Sequence, residues 1–184
     1  MKRATRLMLV VALIAASVSV VMAGRGKGKG GGGGGTTTAL SAAEKDGLVV
    51  LREEEKLARD VYLKLAEKWD LPIFTNIAAS EQRHMDAVKN LIDKYGLKDP
   101  VKDNTIGKFT NTAFADLYTQ LVDRGNESLA DALQVGVFIE KLDIDDIALL
   151  LEDVTHRDIE RVYTNLLAGS NNHLAAFNAA LAAL

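Results

Sequence analysis

The chain has 184 residues, no cysteine, two prolines and 15 glycines, and aromatic residues make up 5% of it. The missing cysteines exclude a disulfide scaffold or disulfide partner, a zinc–thiolate site, an iron–sulfur cluster and a cysteine nucleophile; few aromatics and no alternating Val/Ile/Thr runs disfavour β structure, leaving an all-α fold. The net charge of -3 is a composite: six basic and no acidic residues precede Thr36, and beyond it 16 basic residues face 25 acidic ones, a balance that argues against a nucleic-acid partner and suits one that attracts cations.

Residues 1–23 read as a secretory signal peptide. Lys2, Arg3 and Arg6 precede an apolar stretch from Leu7 to Met22, and Val21-Met22-Ala23 fits a small-residue cleavage site. Cleavage after Ala23 would leave the mature chain secreted or periplasmic. A membrane anchor fits less well, because the apolar run is short for a span and opens into glycine. Residues 24–41 hold nine of the glycines with Arg25, Lys27 and Lys29, the composition of a flexible tether.

Residues 42–184 form one domain with four long helical stretches and a shorter one between the second and third. The first spans about Ala42 to Trp69, with Leu51, Glu55, Ala58, Tyr62, Leu65 and Trp69 on one face. Asp70-Leu71-Pro72 ends it. The second spans about Ile73 to Tyr95, with Ile77, Glu81, His84, Val88 and Leu91 in line and Gly96 as its stop. The short helix covers about Thr112 to Arg124. The third long helix starts near Ser128 and reaches Glu152, aligning Leu133, Gly136, Glu140, Asp143, Ile147 and Leu151. The fourth begins at Thr155, read as its cap with Asp158 three residues on. It aligns Ile159, Tyr163, Leu166, Ser170, His173 and Phe177.

Each apolar face carries a polar interruption near its middle. Burying a carboxylate or imidazole is costly unless it is paired or metal-bound, and four such intrusions imply that the groups meet. Glu81 and His84 form a Glu-x-x-His pair on one helical face, with Glu55 26 residues earlier. Glu140 and then Ser170-x-x-His173 repeat the order in the second half. Glutamate followed by Glu-x-x-His, repeated on a second helix pair, is the layout of di-iron carboxylate bundles. Carboxylates would bridge and neutralise two cations, and imidazoles would be terminal ligands.

The segment from Glu55 through Ala58 to Tyr62 resembles the first-helix signature of the rubrerythrin-like branch of the ferritin-like superfamily. Ser80-Glu81-Gln82-Arg83-His84 resembles its second-helix motif. The stretches LREEEKLARDVYLKLAEKW, FTNIAASEQRHMDAVKNLI and NLLAGSNNHLAAF resemble the ferritin-like family called domain of unknown function 2202, DUF2202, over about Leu48 to Phe177. The resemblance implies a ferritin-like four-helix bundle with a short extra helix between the second and third long helices. It carries Glu55, Glu81, His84, Glu140 and His173 over as metal ligands, with iron, as a di-iron or mixed-metal pair, as the expected cofactor. Ser170 stands where the pattern has a second bridging glutamate; Asp143 or a water on Ser170 could take its place, and the site could then hold two metals weakly, one metal or none.

Around these ligands, Tyr62 is expected to hydrogen-bond a ligand carboxylate. Glu53 and Glu54 read as a solvated face, with Glu54 kept as a candidate ligand or supporting acid. His156, Asn171 and Asn172 read as surface, and Trp69, Met85 and Phe177 as core. Three functions fit. One is oxidation of Fe(II), or reduction of peroxide or O₂, without fused rubredoxin-like cysteine pairs to deliver electrons. The second is non-enzymatic metal sequestration, and the third a structural bundle that has lost its metal. A homodimer is the default assembly.

Overall fold

A computed structural model describes residues 39–184. The signal-peptide reading of residues 1–23 and nearly all of the linker reading lie outside the described residues. The described residues hold five α-helices and no strand: α1 Ala42–Trp69, α2 Pro72–Lys94, α3 Thr112–Gly125, α4 Leu129–Glu152 and α5 Arg157–Ala182. The short helix thus falls between the second and third long ones, as the turn residues indicated.

Local chemistry sets the boundaries. Ser41 Oγ accepts the Glu44 N–H, and the Glu44 carboxylate accepts the Ser41 N–H in return, closing a capping box at the start of α1. Asp70 ends α1 in the left-handed conformation, and Pro72 opens α2 where its missing N–H costs nothing. Gly96, at φ 65°, reverses the chain after α2, so that the Leu97 N–H reaches the Ile92 carbonyl at 2.9 Å.

The packing pairs α1 with α2 and α4 with α5, while α1 meets α4 and α2 meets α5. Met85 and Phe177 lie fully buried in the shared interior, and Trp69 is half-buried with its indole N–H on the Gly125 carbonyl. Gly136 admits the Phe177 ring, since a Cβ there would stand 2.5 Å from it. No helix among the described residues is long and apolar enough to cross a membrane.

Helix α1 departs from the one-faced pattern. All of residues 51–62 are buried, because α2, α3, α4 and the segment after α2 surround them. Its charged residues hold that segment in place. Arg52 pairs with Asp99 and donates to the Met85 carbonyl, Lys56 donates to the Thr105 carbonyl, and Asp60 accepts the Gly107 N–H. Glu53, expected in solvent, is 4% exposed and accepts the N–H groups of Thr110 and Asn111. A buried carboxylate satisfied by backbone donors is a stable arrangement, and its partners lie too far along the chain for local spacing to reveal.

The start of α5 also differs from expectation. His156, not Thr155, occupies the cap position, and neither side chain caps the helix. Glu44 does so from α1. Its Oε1 accepts the N–H groups of Thr155 and His156 and the Thr155 hydroxyl, while its Oε2 serves α1. A full carboxylate at a helix N-terminus opposes the positive end of the backbone dipole, so it outcompetes a local hydroxyl. His156 is accordingly half-buried rather than on the surface, with Nδ1 2.8 Å from Glu44 Oε1. Asp158 turns to Lys94 and Tyr95.

Candidate metal centre

One carboxylate organises the centre. Glu81, on the inner face of α2, presents Oε2 to His84 Nδ1 at 2.8 Å and Oε1 to His173 Nδ1 at 2.7 Å. Glu55 from α1 completes the first triad, with Oε2 3.2 Å from His84 Nδ1. Glu140 from α4 completes the second, with Oε2 3.4 Å from His173 Nδ1. Among the described residues, Glu55–Glu81–His84 and Glu81–Glu140–His173 are the groups whose donor atoms gather within 4.8 Å of one another. The three glutamates are fully buried, and the imidazoles are 12% and 11% exposed. The two rings stack 5.6 Å apart.

The distances carry chemical information. His173 Nδ1 lies 2.7 Å from Glu81 Oε1, yet it has no partner of hydrogen-bonding geometry. The two atoms stand as a close ion pair outside hydrogen-bonding geometry, near enough for both to face one cation. Donors bound to one first-row cation at the usual bond lengths stand about 2.8 to 3.6 Å apart in octahedral or tetrahedral geometry. The four nitrogen–oxygen separations fall at or near that range. Glu55 Oε1, both Glu81 oxygens and Glu140 Oε2 are likewise buried without a hydrogen-bond partner. Buried orphans of this kind call for an explanation, and a hard cation supplies one.

Protonation balances the cation-free centre. Burial alone would lower the His84 pKa, but the close approach and charge of the Glu55 and Glu81 carboxylates override it and raise it to about 10. The same contest, with Glu140 and Glu81, raises His173 to about 9. Burial opposes ionisation of Glu81, yet His173 and His84 bring it down to about 2. Glu55 goes the other way, to about 8, because burial and the Glu81 charge outweigh the help from His84. Two imidazolium protons thus stand where cations would.

Supporting residues fall around the triads. The Tyr62 hydroxyl donates to Glu140 Oε1 at 2.7 Å, fixing that carboxylate's orientation. Asp143 is fully buried, with neither oxygen hydrogen-bonded. Glu54, whose stretch was expected in solvent, is buried beside Asp146, again with both oxygens unpartnered. Ser170 is buried, and its hydroxyl turns back to the Leu166 carbonyl of its own helix. Asn171 and Asn172 face solvent.

Two contributors escaped the sequence reading. Gly169 lies against the His84 ring: a Cβ there would stand 2.6 Å from Nε2. A lone glycine inside a helix, which costs about 1 kcal/mol against alanine, was the available signal. Asp146 follows Asp143 by three residues, so the spacing that paired Glu81 with His84 also points to it.

The family model described as an uncharacterised protein domain, DUF2202, matches residues 44–183. Uncharacterized protein MJ0754 of Methanocaldococcus jannaschii is 55% identical over 138 residues, 75% of either chain. The crystal structure of hypothetical protein MJ0754 from Methanococcus jannaschii resembles this fold with a TM-score of 0.78 at 52% identity, covering 81% of this chain and 85% of that one.

Proposed function

The chain belongs to the DUF2202 family, and we propose that it is a ferritin-like metal-binding protein related to the rubrerythrin-like di-iron proteins and working outside the cytoplasm. Its site holds a pair of divalent cations, iron first among them, between α1, α2, α4 and α5. The observation that carries this reading is Glu81, which offers one buried, unpartnered oxygen to each of two histidine triads. The signal-like residues 1–23 support export.

The ligand assignment follows the triads. Glu55 and His84 hold one position, Glu140 and His173 the other, and Glu81 spans both. Bound iron would supply one-electron chemistry toward peroxide or O₂. The protein's own part is to align the ligands, with Tyr62 holding Glu140 and Gly169 admitting the His84 ring. Among the described ligand residues, the two imidazoles keep slight exposure while the three glutamates are fully buried.

A second reading, storage of the metal without turnover, draws on Ser170. A serine that donates to its own helix leaves the second half-site one carboxylate short of the layout built on two Glu-x-x-His pairs. Elemental analysis of the purified chain and of a Glu81→Ala, His84→Ala variant tests the site: metal should be present in the first and lost in the second. Equal metal content in both would remove the assignment. Consumption of Fe(II) or peroxide by the loaded chain then separates turnover from storage.

A further inference from the structure

Helix α4 buries Glu140 and Asp143 on its inner side, and its opposite side is open. Gln134, Phe138, Lys141, Asp145, Leu149 and Glu152 recur there at three- and four-residue steps, and all six are exposed. Phe138 is 47% exposed and Leu149 39%, so two of the four large apolar side chains left exposed among the described residues stand on this one stripe. Apolar groups gathered on one exposed face mark an interaction surface in a way that scattered single ones do not.

The charges of the stripe have no partners in the chain itself. Lys89 and Asp93 on α2 close to 2.6 Å; Lys141 and Asp145 have the same order and spacing on α4, yet they form no ion pair, and neither does Glu152. Arg124, near the end of α3, donates to Gln134 Oε1 at 3.1 Å. It brings a positive charge to the start of the stripe, and no carboxylate pairs with it. From Gln134 to Glu152 the face therefore runs positive, apolar, positive, negative, apolar, negative. Turned end for end about position 143, that order sets every positive group against a negative one.

We propose that the outer face of α4 is an interface with a second copy of this chain, the two helices crossing antiparallel about position 143. A two-fold interface pairs residue i with j and j with i. Lys141 then meets the partner's Asp145, Phe138 lies over the partner's Ala148 and Leu149, and the partner's Glu152 arrives at Gln134 and Arg124. Each contact is made twice. The small side chain at Ala148, itself exposed, leaves room for the ring at the about 8 to 10 Å that separates packed helix axes. A parallel pairing would set Lys141 against Lys141 and Asp145 against Asp145, which repels. The stripe is about 27 Å long, which places the contact at the small end of protein interfaces, so the pair forms reversibly with concentration. None of these residues belongs to the triads, so the interface does not rest on the metal reading.

Sedimentation equilibrium of the full chain without metal reads the mass against 19.8 kDa for one copy. Expected is a reversible monomer–dimer equilibrium. Lys141→Asp and Asp145→Lys should each weaken it about tenfold or more, because each turns two attractive pairs into repulsive ones. The double variant carrying both changes restores the pairs with their signs exchanged and should recover the parent's association. Phe138→Ser should weaken it as well. All three positions are exposed, so helix content by circular dichroism should not change. A monomer at every concentration up to about 1 mM, association that ignores the single charge reversals, or a double variant no stronger than the singles overturns the interface. Association through residues 1–23 or through another face would ignore the charge reversals and so counts against it.

Discussion

Replacing Gly169 with alanine probes the centre without touching a ligand. The new Cβ would stand 2.6 Å from His84 Nε2 and 2.7 Å from Cε1, so the ring must retreat by roughly 0.8 Å to reach ordinary contact. Metal–ligand distances tolerate about 0.2 Å. The imidazole cannot yield freely, because Glu55 and Glu81 hold its other nitrogen. Displaced positioning groups typically cost ten- to a hundredfold in metal affinity, about 1.4 to 2.7 kcal/mol. Alanine is at the same time the better helix former. Calorimetric titration of metal-free parent and Gly169→Ala chains with Co²⁺ or Zn²⁺ should therefore show weaker binding with helix content intact. An affinity equal to the parent's would refute the steric role assigned to Gly169 and with it the place of His84 at the centre.

Stability of the metal-free chain should fall as pH rises above neutrality. The folded-state pKa values of His84, about 10, and His173, about 9, exceed the ordinary 6.5, so their contribution is complete below about 6.5 and lost as pH rises through 9 to 10. Glu81, lowered to about 2 from 4.5, contributes above 4.5 and fails only as pH falls through about 2. Thermal melts in chelator across pH 6 to 10 read the first effect; a flat profile would contradict the ion-pairing described. Metal loading should release protons, measurable as a buffer-dependent binding heat. Glu44→Ala removes the acidic half of one capping box and the cap of α5 together, and should cost about 1 to 3 kcal/mol in urea denaturation; a loss no larger than that of Ser41→Ala would show the α5 contacts to be idle. Ser170→Glu restores a Glu-x-x-His pair with His173 and should raise the bound iron per chain; unchanged occupancy would mean that carboxylate number does not limit binding.

Much of this architecture can be read from periodicity. The four long helices and the short one follow from apolar spacing and from the stops at Asp70, Pro72, Gly96 and Gly125. The meeting of Glu55, Glu81, His84, Glu140 and His173 follows from their mid-face positions, since helices that bury those faces have nowhere else to put them. What escaped were contacts set by distant partners. Glu53 is buried because Thr110 and Asn111 come to it from 57 and 58 residues away. Thr155 loses its capping role because Glu44 arrives from 111 residues away. Glu53 and Glu54, in a run of charged residues, look like solvated surface until the segment that packs over them is in place. Gly169 was legible only as an oddity, because the ring it admits belongs to another helix.

Glu81 has a consequence for how the two positions respond to each other. One carboxylate faces both histidines, so a cation drawing on Oε1 changes the charge and orientation available at Oε2. Two cations bound there would therefore be linked, and linkage is reciprocal: whatever factor the first occupant imposed on the second, the second would impose on the first. Binding isotherms for this chain should be fitted with a coupling free energy, not two independent constants. Its sign reports whether expelling the shared protons or crowding two cations dominates.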